Sequence, residues 1–161
     1  MSIKKIVTYM FLVSLSLFAA DVEITSKAFE ADEKKLISIF TGDVDIKKGK
    51  DRIKAQKVIV YFDKDRKPIK YEAFKNVKFK IVLDDNKSYE GKAQKIVYLP
   101  SKLEYILEKD VFILQKPEMR KIYGEKIVVN RLTGQASVKG DKDKPVKFIF
   151  KIEENSTKVD K

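Results

Sequence analysis

Carboxylates and amines are the reactive groups this sequence offers in quantity: 24 Asp and Glu against 35 Lys and Arg, with no His and no Cys. Without His or Cys, the usual zinc and copper ligands are missing. The serine–histidine and cysteine–histidine pairs of most covalent hydrolases are missing too. What remains is carboxylate or lysine chemistry. A carboxylate-only glycosidase needs two acids facing one cleft at a defined separation. The acids here are spread over turns and alternate with lysines, the pattern of a solvated surface. The reading is therefore no enzyme, no catalytic residue, no metal site and no cofactor.

The charge is +11, and Lys4 and Lys5 carry two of those charges, leaving +9 on residues 21–161. A basic surface favours anionic partners. Nucleic acid is a poor fit, because no aromatic RNA-binding signature or basic recognition helix is present. The lysines also suit the outer faces and edges of strands, where they discourage pairing with stray chains.

The first twenty residues explain why nucleic acid is unattractive. Lys4 and Lys5 precede a largely apolar run, Ile6 to Phe18, and Ala19-Ala20 stand just before Asp21. This is the layout of a secretory signal peptide over residues 1–20. The run falls short of the about 20 apolar residues that cross a bilayer, so cleavage is expected rather than an uncleaved anchor. Export without cysteine means no disulfides and no lipidated cysteine. Stability must come from strand pairing and apolar burial.

From Asp21 onward the hydrophobic period is two. Val22-Glu23-Ile24, Val44-Asp45-Ile46, Val77-Lys78-Phe79-Lys80-Ile81 and Val146-Lys147-Phe148-Ile149-Phe150 alternate, and turn signals lie between such runs, among them Thr41-Gly42-Asp43, Lys48-Gly49-Lys50 and Leu99-Pro100-Ser101. The strands also repeat. Ala55-Gln56-Lys57-Val58-Ile59-Val60-Tyr61 returns as Ala93-Gln94-Lys95-Ile96-Val97-Tyr98 and as Gly124-Glu125-Lys126-Ile127-Val128-Val129, with a weaker copy at Thr25-Ser26-Lys27-Ala28-Phe29. Each is matched by an Asp/Asn-Val step at Asp43-Val44, Asn76-Val77 or Asp110-Val111. A period of roughly thirty to forty residues marks stacked supersecondary units that share one core. The expectation is an all-β domain over residues 21–152, built from short strands, followed by a disordered polar tail over residues 153–161.

Phe40-Thr41-Gly42-Asp43-Val44, with Gly49, Ile53, Ala55, Lys57 and Val58-Ile59-Val60 after it, resembles the OstA-like family of lipopolysaccharide-transport proteins, and its LptA-like periplasmic bridges in particular. Phe79 through Glu90-Gly91, then Tyr98 to Asp110-Val111, keep the same spacing. The likeness runs from about Val22 to Phe150. Two departures are visible: Asp43 stands where the family usually has Asn, and Gln56 where it has an acid.

The resemblance implies an elongated antiparallel β-jellyroll, a slightly open roll whose inner groove shields the acyl chains of lipid A. It implies a periplasmic protein that carries lipopolysaccharide from an inner-membrane LptC-like partner to the N-terminal domain of an LptD-like outer-membrane translocon. It places Val22, Ile24, Phe79 and Tyr98 at lipid contacts. Alternation adds Ile81 and Ile96, and the repeat adds Val58, Val60, Ile127 and Val129. Any of these could instead be plain core. Head-to-tail self-association would join the edges carrying Val22 and Ile24 to those carrying Val146, Phe148 and Phe150 by strand addition. Two alternatives stay open at this point: a membrane-anchored LptC-like component, and a structural envelope protein that binds no lipid.

Overall fold

The computed structural model describes residues 21–83 and 86–153; the expected signal peptide and nearly all of the polar tail lie outside these residues. Ten strands follow one another: β1 (Val22–Thr25), β2 (Ala28–Asp32), β3 (Ile37–Lys48), β4 (Asp51–Phe62), β5 (Pro68–Val82), β6 (Ser88–Leu99), β7 (Glu104–Lys116), β8 (Arg120–Asn130), β9 (Ala136–Lys139) and β10 (Lys147–Ile149). One 3-10 turn, Pro100–Lys102, connects β6 to β7. Strands β3 to β8 form an antiparallel meander. On the free side of β3 sit β1 and β2, and on the free side of β8 sit β9 and β10.

A line of bulges crosses this meander. Register shifts fall between Thr41 and Val44 on β3, Phe74 and Val77 on β5, and Glu108 and Val111 on β7. The residues inserted there have positive φ: Gly42 and Asp43 at 82° and 45°, Lys75 and Asn76 at 64° and 50°, Lys109 and Asp110 at 66° and 50°. For a residue with a Cβ such a conformation costs on the order of 1 kcal/mol or more, so it persists only where neighbours support it. Across each bulge lies the repeated small-Gln/Glu-Lys segment. Gln94 Oε1 accepts the Asn76 N–H at 3.3 Å, and Glu125 Oε2 lies 3.4 Å from the Asp110 nitrogen that donates to it. Beside these contacts Val44 pairs with Ala55, Val77 with Ala93 and Val111 with Gly124. The small partner is required. A Cβ on Gly124 would stand 2.6 Å from the Val138 methyl.

A bulge bends its strand and increases the local twist. Aligned bulges therefore fold one sheet into two layers. Layer one holds the strand halves ending at Lys48, Asp51, Val82, Ser88, Lys116 and Arg120, edged by β1 and β10. Layer two holds the other halves, edged by β2 and β9. Along the bulge line the core is densely packed from Val44, Ala55, Val58, Ala73, Val77, Ala93, Val111 and Ile127, with Val58 and Val77 wholly buried.

The strands differ from expectation in one respect. Val44–Ile46 and Val77–Ile81 are halves of strands 12 and 15 residues long, not complete short strands, whereas the runs at the two edges do belong to short strands. Thr41-Gly42-Asp43 is correspondingly a bulge within β3 and not a turn between strands. Left-handed residues serve either purpose, and here hydrogen bonding resumes on both sides. At the C-terminal edge only Lys147–Ile149 pairs as strand, with Val146 and Phe150 flanking it.

Candidate functional site

Away from the bulge line the inner face opens. Cross-strand pairing aligns Ile24, Ile46, Ile53, Phe79, Gly91, Ile113, Ile122 and Phe148 in one inward row of layer one, from β1 to β10. Layer two presents the matching row Val60, Tyr71, Tyr98, Tyr105, Val129 and Ala136. Between the layers is a cavity of about 430 Å³, within the roughly 300–1,000 Å³ range of small-ligand sites. Phe79, Ile81, Leu83, Tyr89, Ile113 and Ile122 line it from layer one; Ile96, Tyr105, Leu107, Ile127, Val129 and Val138 face them from layer two. Its few polar contributors are Gln115, Asn130 and Arg131.

Gly91 shapes this space. Its Cα lies against β7 and under the Phe79 ring: an added Cβ would meet the Phe112 carbonyl oxygen at 2.0 Å and the ring tip at 2.9 Å. A glycine here lets the phenyl group lie across the strand into the cavity.

The rim is aromatic and polar. Tyr98 stacks on Tyr105 with ring centroids 4.5 Å apart, and Tyr71 lies 6.0 Å beyond. Burial pushes the Tyr105 phenol up to about 12, and burial raises those of Tyr71 and Tyr98 as well. Lys48 sits 5.9 Å above the Tyr98 ring. Asp51 accepts the Val82 N–H at 2.8 Å and stands 3.8 Å from the Arg131 guanidinium.

Of the residues nominated from sequence, Phe79, Ile81, Ile96, Ile127 and Val129 meet in the cavity. Val58 and Val60 pack beside it in the closed core. Tyr98 stands at the rim, stacked on a tyrosine that lines the cavity. Val22 and Ile24 lie on the edge strand β1, Val22 exposed and Ile24 packed against the core. Val146, Phe148 and Phe150 are exposed at the opposite edge, the two phenyl rings 5.5 Å apart. Sequence reasoning passed over Tyr105, Ile113, Ile122 and Arg131. The first three alternate in phase with their strands, while Arg131 follows β8 and carries no periodic signal.

A second hollow of about 460 Å³ lies outside the roll, floored by Ile59 and Phe74 and ringed by Lys57, Lys75, Lys95 and Lys109. It has no facing layer, so an apolar chain there would keep one side in water.

The described residues thus form a two-layer β-roll with an apolar interior, open at both edges, the architecture of a β-jellyroll. The family model described as LptA/(LptD N-terminal domain) LPS transport protein matches residues 23–143. The chain belongs to this lipopolysaccharide-transport family. No curated protein matches it. Among solved structures it is similar to LptH from Pseudomonas aeruginosa, the LptA-homologous periplasmic component of the conserved lipopolysaccharide transport device. That similarity has a TM-score of 0.72 at 15% identity, over 83% of this chain and 96% of the other. At that identity the likeness speaks for the jellyroll fold.

Proposed function

We propose that this chain is a non-enzymatic periplasmic carrier that holds the acyl chains of lipopolysaccharide between its two layers and passes them toward the outer membrane. One observation carries the reading: the inward apolar row is continuous from β1 to β10 and runs through the cavity. An acyl chain moved from water into such a path gains about 0.8 kcal/mol per buried CH₂. The row reaches both edges of layer one, so copies joined at their edges would extend it without a step.

The edges support that assembly. Phe148 and Phe150 are about half exposed on the C-terminal side, with Ile149 and Ile152 beside them. Val22 and Phe29 are exposed on the N-terminal side. Their charges are opposed: residues 21–33 hold five carboxylates and one lysine, and residues 136–153 hold five lysines and three carboxylates. Strand addition between unlike edges does not close on itself and builds a bridge. Its ends would meet an LptC-like protein at the inner membrane and the N-terminal domain of an LptD-like translocon at the outer membrane.

The test is photo-crosslinking in cells, with the probe at Phe79, at rim residue Tyr98, or at outward Lys78. Lipopolysaccharide adducts at Phe79 and Tyr98 and none at Lys78 are expected. Equal adducts at all three, or none in a folded exported protein, would favour a structural envelope protein instead.

A further inference from the structure

We propose that Arg131 and Lys48 form a subsite for the phosphate of an anionic lipid at the mouth of the cavity, held in reserve by Asp51 while the cavity is empty. The inference rests on the carrier reading above and names the group that orients the cargo. Asp51 begins β4 in layer one, and Arg131 follows β8 in layer two. Among pairs of described residues this is the ion pair that joins the two layers; the others stay within one layer or lie along the bulge line.

The pair is loosely made. At 3.8 Å it is beyond hydrogen-bond distance. Asp51 is held by the Val82 N–H instead. Arginine has five donors in a fork suited to two oxygens of a phosphate. Here the guanidinium stands off from Asp51 and lies beside the Tyr105 phenol, so the fork keeps donors for a phosphate. Lys48 supplies a second cation over Tyr98, with no carboxylate within ion-pair distance among the described residues. Arg131 is part of the cavity wall, and Lys48 stands over Tyr98, the ring stacked on cavity-lining Tyr105. An amphiphile with its chains in the cavity would place its first charged group there. Phosphate taking Arg131 from Asp51 would also release the contact between layers, so loading and opening would be one event.

The experiment measures binding of bis-phosphorylated lipid A, fully dephosphorylated lipid A and inorganic phosphate to the full exported protein and to Arg131→Gln, Lys48→Gln and Asp51→Asn. Arg131→Gln should weaken phosphorylated lipid A by about tenfold, the scale of one charged hydrogen bond, and leave the dephosphorylated lipid unchanged. Lys48→Gln should do the same to a smaller extent. Asp51→Asn keeps an acceptor for Val82 and removes the competing charge, so it should tighten the phosphorylated lipid, a gain that misfolding cannot produce. Inorganic phosphate alone should bind weakly and compete only at high concentration; if it binds as tightly as the lipid, the site is a free-phosphate site and the lipid assignment falls. Arg131→Gln weakening both lipids equally, or neither, would overturn the subsite while sparing the carrier. Failure of the unaltered protein to bind either lipid would overturn both.

Discussion

The bulge-side and mouth-side halves of the inner face are built from the same alternating sequence and do different work. Beside the bulges, Val44, Val77 and Val111 are pressed against Ala55, Ala93 and Gly124 with no room between them. Two or more residues further along the same strands, Phe79, Tyr89, Tyr105 and Ile122 are half-buried around open space. Distance from the fold line is one part of what separates core from cavity. The other is the place across the sheet, since Ile96, Leu107 and Ile127 on β6 to β8 share Val58's row and line the cavity. Small residues hold the layers together at the bend, and large ones stand apart where the layers diverge.

The largest expected effect comes from charging the bulge side. Val77 is wholly buried, and Val77→Asp would bury an unpaired carboxylate at a cost of at least about 4 kcal/mol. Little folded protein is expected by circular dichroism. Two residues away, Phe79→Ala should keep its fold and lose affinity for lipid A; equal damage from both variants would erase the distinction between halves.

Gly91→Ala sharpens the boundary. The new methyl collides with the Phe112 carbonyl and the Phe79 ring, so a loss of about 3 kcal/mol is expected in urea unfolding, together with weaker lipid binding as the ring is displaced. A neutral result would mean that the ring does not need the glycine.

The bend itself responds to Asn76, which sits at φ 50°. Asn76→Val puts a β-branched side chain in the left-handed region and should cost about 2 kcal/mol, whereas Asn76→Gly should cost far less. If the two behave alike, backbone strain does not govern the bulge.

The edges should affect stability least and assembly most. Phe148→Lys with Phe150→Lys should leave the melting temperature within a few degrees, since both side chains are exposed, and abolish head-to-tail oligomers in analytical ultracentrifugation. Raising salt should likewise shorten the head-to-tail oligomers proposed above, because opposed charges at the two ends are screened. In the alkaline range the sign follows from Tyr105. Its phenol is raised from 10 to about 12 by burial, so the neutral form is favoured in the folded protein. Stability is full below pH 10 and falls as pH rises toward 12; tyrosinate absorbance and unfolding should appear together there.

Much of the fold was legible because period-two alternation survives the bend. Ile96 with Tyr98 and Ile127 with Val129 face inward as their spacing required, and the three copies of the small-Gln/Glu-Lys segment mark three bulge-facing strands. The family pattern named the roll. The bulges were not legible as such, since Gly42-Asp43 satisfies a turn as well as a bulge until the partner strand is known. Nor could spacing separate Val58 from Phe79. Both are inward apolar residues, and the side of the sheet each sits on decides its fate. Ile96, Leu107 and Ile127 share Val58's row across β6 to β8 and line the cavity, while Val58 on β4 is closed over. Arg131 escaped because an isolated arginine after a strand has no pattern to betray it.

The most direct test is a methyl NMR titration of Ile- and Val-labelled protein with lipid A. Ile81, Ile122 and Val129 should shift at the mouth side, while Val44, Val58, Val77 and Val111 stay fixed. Shifts confined to exposed Val22 and Val146, or spread evenly over both halves, would contradict a carrier whose cargo lies between the layers.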